Sequence, residues 1–297
     1  MENFRKDEWI IARRKEHEMK LIGNFHKDEW IMARLKEHYD EACGIIDPAR
    51  IVGIFVSGSQ NYGLDTEDSD IDTKCLIVPS FGELVYNEKP MSTTHIRENN
   101  EHITITDIRL FFQTLRKQNI NFVEILFTKY CILNPTYKII WDKLCDYKEE
   151  IATYNPCATL KACLGMLDRN YKILYERNSE KAEKIAEWGY DPKALYNVLR
   201  IGWFILDYAE STQSYADCLE SRSLYKDINL KSAKADRWTL HAVQHTTKHL
   251  YEIASKVGKD YIESYPKEKN NELSLAENVM DFANYAIMEI AIKLELA

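Results

Sequence analysis

The residues with the clearest chemical potential are Gly58, Ser59, Asp70 and Asp72, which share the stretch SGSQNYGLDTEDSDIDTKCLIVP. Glycine has no side chain to keep the backbone away from a phosphate chain, and a serine hydroxyl with neighbouring N–H groups can donate to phosphate oxygens. Asp70 and Asp72 lie two apart at the start of a predicted strand, so both carboxylates point to the same face. Two such carboxylates can share Mg²⁺, which prefers oxygen ligands completed by phosphates and water.

This combination predicts an in-line displacement at a phosphate. Two metal ions about 3.5–4 Å apart would stabilise the attacking and leaving oxygens, and charge neutralisation would supply most of the catalysis. The pair D-x-D alone is a weak signal, because acidic loops are common and a solvated turn explains it. The full order of strand, G-S turn, D-x-D and strand is the specific one.

Three short strands are predicted to position these residues. Ile51 to Val56 is an apolar run bounded by turn residues, Ile71 to Pro79 is a second run, and Ile103 to Thr106 is β-branched. Asp107 is predicted to cap a helix from Ile108 to Lys117.

From about residue 155 the apolar spacing becomes helical, which predicts helices over residues 158–177, 192–209, 234–257 and 273–295. Pro192 fits a first helical position, with Asp191 as the cap before it. We therefore predict an α/β (α+β) fold. A small mixed β-sheet domain with flanking helices would span residues 46–150, and an all-helical domain would span residues 151–297.

Residues 1–45 form a predicted N-terminal extension that contains a repeat. Phe4 to His17 (FRKDEWIIARRKEH) and Phe25 to His38 (FHKDEWIMARLKEH) match at 11 of 14 positions. Both copies have the composition of an amphipathic helix. The repeat is expected to pack on the rest of the chain or on a partner subunit, and a homo-oligomer formed through it is the corresponding partner prediction.

Composition limits the class of protein. No apolar run approaches the roughly 20 residues of a membrane span, and the charged N-terminus has no secretory apolar stretch. The seven cysteines are scattered without a C-x-x-C pair, which suits a reducing compartment. We expect a cytoplasmic protein without a membrane partner. The net charge of −8 argues against broad nucleic-acid binding but leaves a local basic groove open.

Three stretches carry a family resemblance. Ser57 to Pro79 resembles the signature of the DNA polymerase β nucleotidyltransferase superfamily, in particular the branch of predicted nucleotidyltransferases found in bacteria and phages. Lys117 to Leu126 (KQNINFVEIL) resembles the K-x-N-x-N-x-x-E-x-L element of that branch. Trp188 to Arg200 (WGYDPKALYNVLR) resembles its G-Y-D-P-K…R helix start. The resemblance covers residues 50–210, and the first motif is the most specific.

The resemblance implies a transferase of EC 2.7.7 type. It would move a nucleoside monophosphate from an NTP, by default ATP, to an acceptor hydroxyl and release pyrophosphate. Gly58 and Ser59 would bind the triphosphate, and the two aspartates of the D-x-D pair would bind Mg²⁺ or Mn²⁺. Base preference and acceptor stay open, the acceptor classes being a small molecule, an RNA end and a protein side chain.

Lys193 and Arg200 are further nucleotide-binding candidates. They lie seven residues apart on one face of a predicted helix, from which they could reach the triphosphate. A surface ion pair is the alternative explanation for these two residues.

One position departs from the superfamily pattern. A third carboxylate usually lies on the strand before the Asp107 helix, where it activates the acceptor hydroxyl, but residues 102–104 are His, Ile and Thr. Glu101 and Asp107 are the predicted catalytic substitutes, and a hydrogen-bonding His102 could assist. The alternative function is a nucleotide-binding or sensing module with weak or no transferase activity.

His241, His245 and His249 recur every four residues, a spacing that can bind a metal ion. The segment has no H-E-x-x-H pattern, and Lys248 lies beside His249. We predict an exposed helix face there.

Overall fold

A computed structural model describes residues 27–65, 69–176, 182–210, 214–220, 223–266 and 274–296, with the backbone alone described at 183, 184, 224 and 235. The first copy of the repeat lies outside these residues. Residues 27–38 of the second copy lie in a helix over residues 27–45. No helix in the described ranges is both long and apolar enough to cross a membrane.

The centre of the fold is a five-stranded mixed sheet. Its strands are β1 Ile51–Ser57, β2 Asp72–Ile77, β3 Ser92–Ile96, β4 His102–Asp107 and β5 Cys131–Leu133. Their order across the sheet is β3-β4-β2-β1-β5. β2 and β4 are parallel, and the other pairs are antiparallel. The predicted mixed sheet is therefore confirmed.

Helices pack on both faces of the sheet and make up most of the other described residues. They are α1 over residues 27–45, then α2 Phe81–Val85, α3 Ile108–Arg116, α4 Ile120–Val123, α5 Pro135–Asp146, α6 Lys148–Thr153, α7 Pro156–Ile173, α8 Ala182–Trp188, α9 Pro192–Glu210, α10 Tyr215–Leu219, α11 Leu224–Ala235, α12 Leu240–Ser264 and α13 Leu275–Glu295. The predicted helical C-terminal region is confirmed.

The alternation of β2 divides its side chains between two packing environments. Cys75 lies in an apolar cluster with Ile31 and Leu35 of α1. Leu76 lies in a larger cluster that includes the C-terminal helices. The odd-numbered side chains of β2 therefore face α1, and the even-numbered ones, Asp72 among them, face the helical part of the molecule.

The larger cluster includes buried residues from Val52 of β1 to Ala291 of α13. This apolar core combines residues from before and after residue 150. The predicted domain boundary near that residue stays a prediction. α9 packs against α7, α11 and α12. A Cβ atom on Gly202 would lie 2.7 Å from Cγ of Leu250, so the glycine permits the close approach of α9 and α12.

The predicted helix over residues 234–257 was wrong in its continuity. α11 ends at Ala235, and α12 begins at Leu240. Asp236 and Thr239 have extended backbone conformations, and the Thr239 side chain accepts a hydrogen bond from the Ala242 amide. This cap begins a new helix, which an apolar period does not reveal.

Candidate active site

Asp70 and Asp72 lie at the start of β2, and the structure brings their charges together. Partial burial and, next, the negative charge of Asp72 raise the pKa of Asp70 above its ordinary value, while Lys193 acts in the opposite direction. A divalent cation between the two carboxylates would relieve this repulsion. The donor set therefore fits a hard cation such as Mg²⁺.

Asp72 is oriented by the neighbouring strand β4. The parallel register pairs Thr73 with Ile103, which brings His102 beside Asp72. Oδ1 of Asp72 accepts hydrogen bonds from the His102 backbone N–H at 3.1 Å and from Nδ1 of its ring at 3.0 Å. His102, which was predicted to assist the site, therefore contacts the predicted metal ligand Asp72 directly.

The Gly58–Ser59 bend follows β1 directly. Gly58 has φ +83° and ψ −148°, a backbone conformation that favours glycine. Its N–H donates to Oε1 of the buried Glu124 at 3.3 Å. This donor therefore points into the protein, which leaves the remaining groups of the bend to meet a ligand.

Lys74 and Glu124 form a buried pair beneath the bend. Lys74 lies on the same face of β2 as Asp72, and its Nζ lies 3.6 Å from Oε1 of Glu124. Burial lowers the pKa of Lys74 to about 8 against the charge of Asp72. Burial also raises the pKa of Glu124 to about 7, although Arg200 and the Gly58 N–H oppose that shift. Both groups are thus shifted toward their neutral forms.

Arg200 approaches this pair from α9. Its Nη2 donates to Oδ1 of Asn121 at 3.4 Å, and its guanidinium lies 5.3 Å from the ring centroid of Tyr62. Nε of Arg200 and Oε2 of Glu124 are buried and have no hydrogen-bond partner within the described part of the chain. Such unpaired polar atoms are costly unless a ligand or water completes them.

The three motif stretches therefore meet at one place. Gly58 comes from the first stretch, Asn121 and Glu124 come from the second, and Arg200 comes from the third. The second stretch therefore contacts the G-S bend directly through Glu124.

Lys234 of α11 was not predicted as a site residue. Burial lowers its pKa to about 8, while Asp65 and Asp70 oppose the shift and Arg200 and Lys193 reinforce it. Its ammonium lies 4.6 Å from the ring centroid of Tyr196. No motif surrounds Lys234, and only the packing of α11 on α9 reveals it.

Lys193 lies at the start of α9, where its backbone N–H donates to Oδ1 of Asp191 at 2.9 Å. Lys193 and Lys234 both interact electrostatically with Asp70. Arg200 interacts in turn with Lys234, so Lys193 and Lys234 lie beside Asp70 with a third cation behind them, an arrangement suited to an anionic ligand bound through a metal ion.

Glu101 lies in a different environment from the aspartate pair. It is 5% exposed, and Oε2 accepts from Arg34 at 2.6 Å, His38 at 2.8 Å and Arg97 at 2.9 Å. Oε1 accepts from the Ile71 N–H at 3.3 Å. Burial alone would raise its pKa, but these hydrogen bonds hold it at about 2. Glu101 is thus engaged on the α1 side, and the structure does not present it as a third metal ligand.

The structure also separates Asp107 from the pair. Asp107 lies beside Ile77 at the opposite end of β4 from His102, a separation of about 17 Å at the rise of a strand. Its carboxylate caps α3 and binds the Arg109 guanidinium at 2.7 Å. The prediction that Asp107 takes the place of the third carboxylate is therefore wrong, because Asp107 lies at the far end of β4 from the aspartate pair.

Comparisons with known proteins place this arrangement in context. Residues 28–204, more than half of the 297, match the family described as the RNA repair pathway DNA polymerase beta family. Among solved structures, the chain is similar to a nucleotidyltransferase-like protein from Exiguobacterium sibiricum 255-15, with 13% identity, 89% of each chain covered and a TM-score of 0.33. A search of curated proteins gives no match. The family match includes all three motif stretches.

Proposed function

The chain belongs to the RNA repair pathway DNA polymerase beta family, and on that premise we propose that it transfers a nucleoside monophosphate from an NTP to a hydroxyl at an RNA end. Family membership supports nucleotidyl transfer in general, and the family description supports RNA as the acceptor. The observation that carries the proposal is the aspartate pair with the cations Lys193 and Lys234 beside Asp70.

In the proposed reaction the acceptor hydroxyl oxygen attacks the α-phosphorus, and the hydroxyl proton passes to solvent water. A new P–O bond forms, the bond from the α-phosphorus to the bridging oxygen breaks, and pyrophosphate leaves. Asp70 and Asp72 would hold Mg²⁺, which supplies charge neutralisation at the reacting phosphate when bound. The two lysines and Arg200 would position the triphosphate, and His102 would fix the orientation of Asp72.

A second candidate is a nucleotide-binding module without turnover. The observation that favours it is the engagement of Glu101 and Asp107 away from the aspartate pair. Such a module would keep the triphosphate site and lack a carboxylate that activates the acceptor.

The experiment uses the full chain, Mg²⁺, each of the four α-labelled NTPs and RNA oligonucleotides with free 3′ and 5′ ends. We expect label on RNA and release of pyrophosphate. Asp70→Asn and Asp72→Asn should each lower transfer by about 10³-fold or more, since both remove metal-binding charge. Asp142→Asn is the matched control, because Asp142 is exposed on α5 and pairs with Lys138.

Transfer that survives both aspartate substitutions would contradict the proposed site. Calorimetry with a non-hydrolysable ATP analogue separates the two candidates. Nucleotide binding without transfer to any RNA end would favour the second candidate.

A further inference from the structure

An open groove of about 470 Å³ separates the end of α8 from the start of α12. The groove is lined by residues 186–189 on one side and residues 237–240 on the other. Its volume lies within the range of pockets that bind organic ligands, about 300–1,000 Å³. Nothing in the proposed transfer chemistry uses this groove.

Specific contacts hold the two walls of the groove together. The Trp238 backbone N–H donates to the hydroxyl of Tyr190 at 2.8 Å, and Nε1 of Trp238 donates to Ser232 at 2.9 Å. The Trp188 ring meets Tyr190 edge-on, with centroids 5.9 Å apart. Arg237 donates to the backbone carbonyl of Glu187. The groove thus presents two half-buried indoles and an exposed guanidinium from fixed positions.

Both walls of the groove lie close in the chain to cations of the candidate active site. Trp188 lies five residues before Lys193, and Trp238 lies four residues after Lys234. Those two lysines are the cations that interact with Asp70. Each wall of the groove is therefore joined by a few residues of chain to a cation that interacts with Asp70.

An exposed row of imidazoles continues from the groove along α12. The rings of His241, His245 and His249 are stacked, with centroids 6.4 Å apart in each pair and interplanar angles of 18° and 22°. The row spans eight residues, or about 12 Å of helix. The predicted exposed helix face is confirmed, and it is an aromatic one.

We propose that this groove and the imidazole row bind a single-stranded RNA segment of the acceptor, an inference that rests on the proposed function. Bases stack on aromatic faces without a requirement for sequence, and arginine and lysine contact the phosphates. Arg237 and the exposed Lys248 supply such cations, whereas Glu187 and Asp236 lie nearby and limit the local positive charge. Stacking therefore carries more of the affinity than charge does, consistent with the net charge of −8.

The test measures binding of a fluorescent 12-nucleotide single-stranded RNA to the full chain by anisotropy, in EDTA and without NTP. Replacement of the three imidazoles by Ala should weaken binding on the order of tenfold, as expected for the loss of one stacked base. Replacement of all three by Tyr should keep binding within about twofold, because an aromatic face remains. Arg237→Ala should weaken RNA binding. It should also reduce the slope of the logarithm of the binding constant against the logarithm of salt concentration by about one, as expected for the loss of one phosphate contact.

The matched control is Lys293→Ala. Lys293 is an exposed cation of α13, and α13 packs on α3, α5 and α6 instead of the groove. Its replacement should leave RNA binding unchanged. Affinity for a non-hydrolysable ATP analogue with Mg²⁺ should be equal in all variants, since none of the replaced residues belongs to the proposed triphosphate site.

Wild-type protein that does not bind the RNA would overturn the inference, as would unchanged binding in the Ala variant or equal losses in the Ala and Tyr variants. A loss confined to ATP-analogue affinity would assign the groove to the NTP and also overturn it. The binding assay needs no turnover, so failure of transfer in the labelled-NTP assay counts against the proposed function alone.

Discussion

Glu101 and Glu124 are both buried carboxylates that contact the same sheet, and the protein treats them in opposite ways. Glu101, on the α1 side, accepts four hydrogen bonds, and its pKa is held at about 2. Glu124, beneath the G-S bend, has one oxygen without a partner among the described residues, and burial raises its pKa to about 7.

The difference separates a fully paired network from a partly paired one. A buried polar network in which every member is paired fixes one arrangement of the chain. Glu101 does this for α1 and for the backbone at Ile71, between the two aspartates. Glu124 and Arg200 each have a buried atom without a partner among the described residues, and a ligand or water can complete such atoms.

The largest expected effect comes from breaking the complete network. Glu101→Ala should lower the free energy of unfolding by about 3–5 kcal/mol, because it leaves the Arg34 and Arg97 cations without their buried partner. Urea denaturation followed by circular dichroism measures this value. Glu37→Ala is the control, since Glu37 pairs with the same two arginines at the surface and should cost less than about 1 kcal/mol. Equal losses in the two variants would refute the assignment of Glu101 as the structural partner.

The second effect concerns Glu124 and pH. Because the folded pKa of about 7 lies above an unfolded value of about 4.3, the folded state favours the protonated form. Its stabilising contribution is present at low pH and is lost as pH rises toward 7. Glu124→Gln removes this dependence. The free energy of unfolding of the variant minus that of wild type should therefore rise by about 2.5 kcal/mol from pH 5 to pH 8. Urea denaturation at several pH values checks the slope.

Glu101→Gln supplies the mirror-image control. Its folded pKa of about 2 lies below the unfolded value, so its contribution is complete above about pH 4.3 and is lost as pH falls toward 2. The difference between wild type and Glu101→Gln should therefore be constant from pH 5 to pH 8. If the difference in unfolding free energy from wild type changed with pH in the same direction for both variants, the two glutamates would not have opposite pKa shifts.

The third effect lies on the ligand side of the sheet. His102→Ala removes the side-chain donor to Asp72 and keeps the backbone donor. We expect the Mg²⁺ concentration required for ATP-analogue binding to rise about tenfold, the lower end of the effect of removing a residue that orients a metal ligand. His95→Ala is the matched control, because His95 lies on β3 and pairs with Glu41. An unchanged Mg²⁺ requirement would remove His102 from the site.

Three of the strands and the aspartate pair depend on local sequence signals, and the sequence predicted them. The apolar runs of β1 and β2 and the β-branched run of β4 were sufficient to predict these three strands, and the family resemblance supplied their mixed arrangement. β3 and β5 were missed, because STTHI is largely exposed and CIL has only three residues.

The separation of the two glutamates depends on long-range contacts that no local pattern contains. The donors to Glu101 from α1 lie 63 and 67 residues away in the chain. Glu124 lies in a stretch that the family resemblance singled out, but its contact with Gly58 spans 66 residues. Lys234 has neither a motif nor a periodic signal, so only the packed structure brings it to the site.

The smallest expected effect concerns Lys234, which interacts with Asp70 and Arg200 on the same side of the sheet as Glu124. Lys234→Met keeps an unbranched side chain over the Tyr196 ring and removes the charge. ATP-analogue affinity at pH 7 should fall roughly fivefold, about 1 kcal/mol, as expected for one partly exposed ion pair. Since the pKa of Lys234 is about 8, the wild-type advantage should shrink as pH rises from 7 to 9. Lys231→Met is the control, because Lys231 lies on the same helix and pairs with Asp227 at the surface. Equal affinities of the two variants across this pH range would exclude Lys234 from the group of cations that binds the triphosphate.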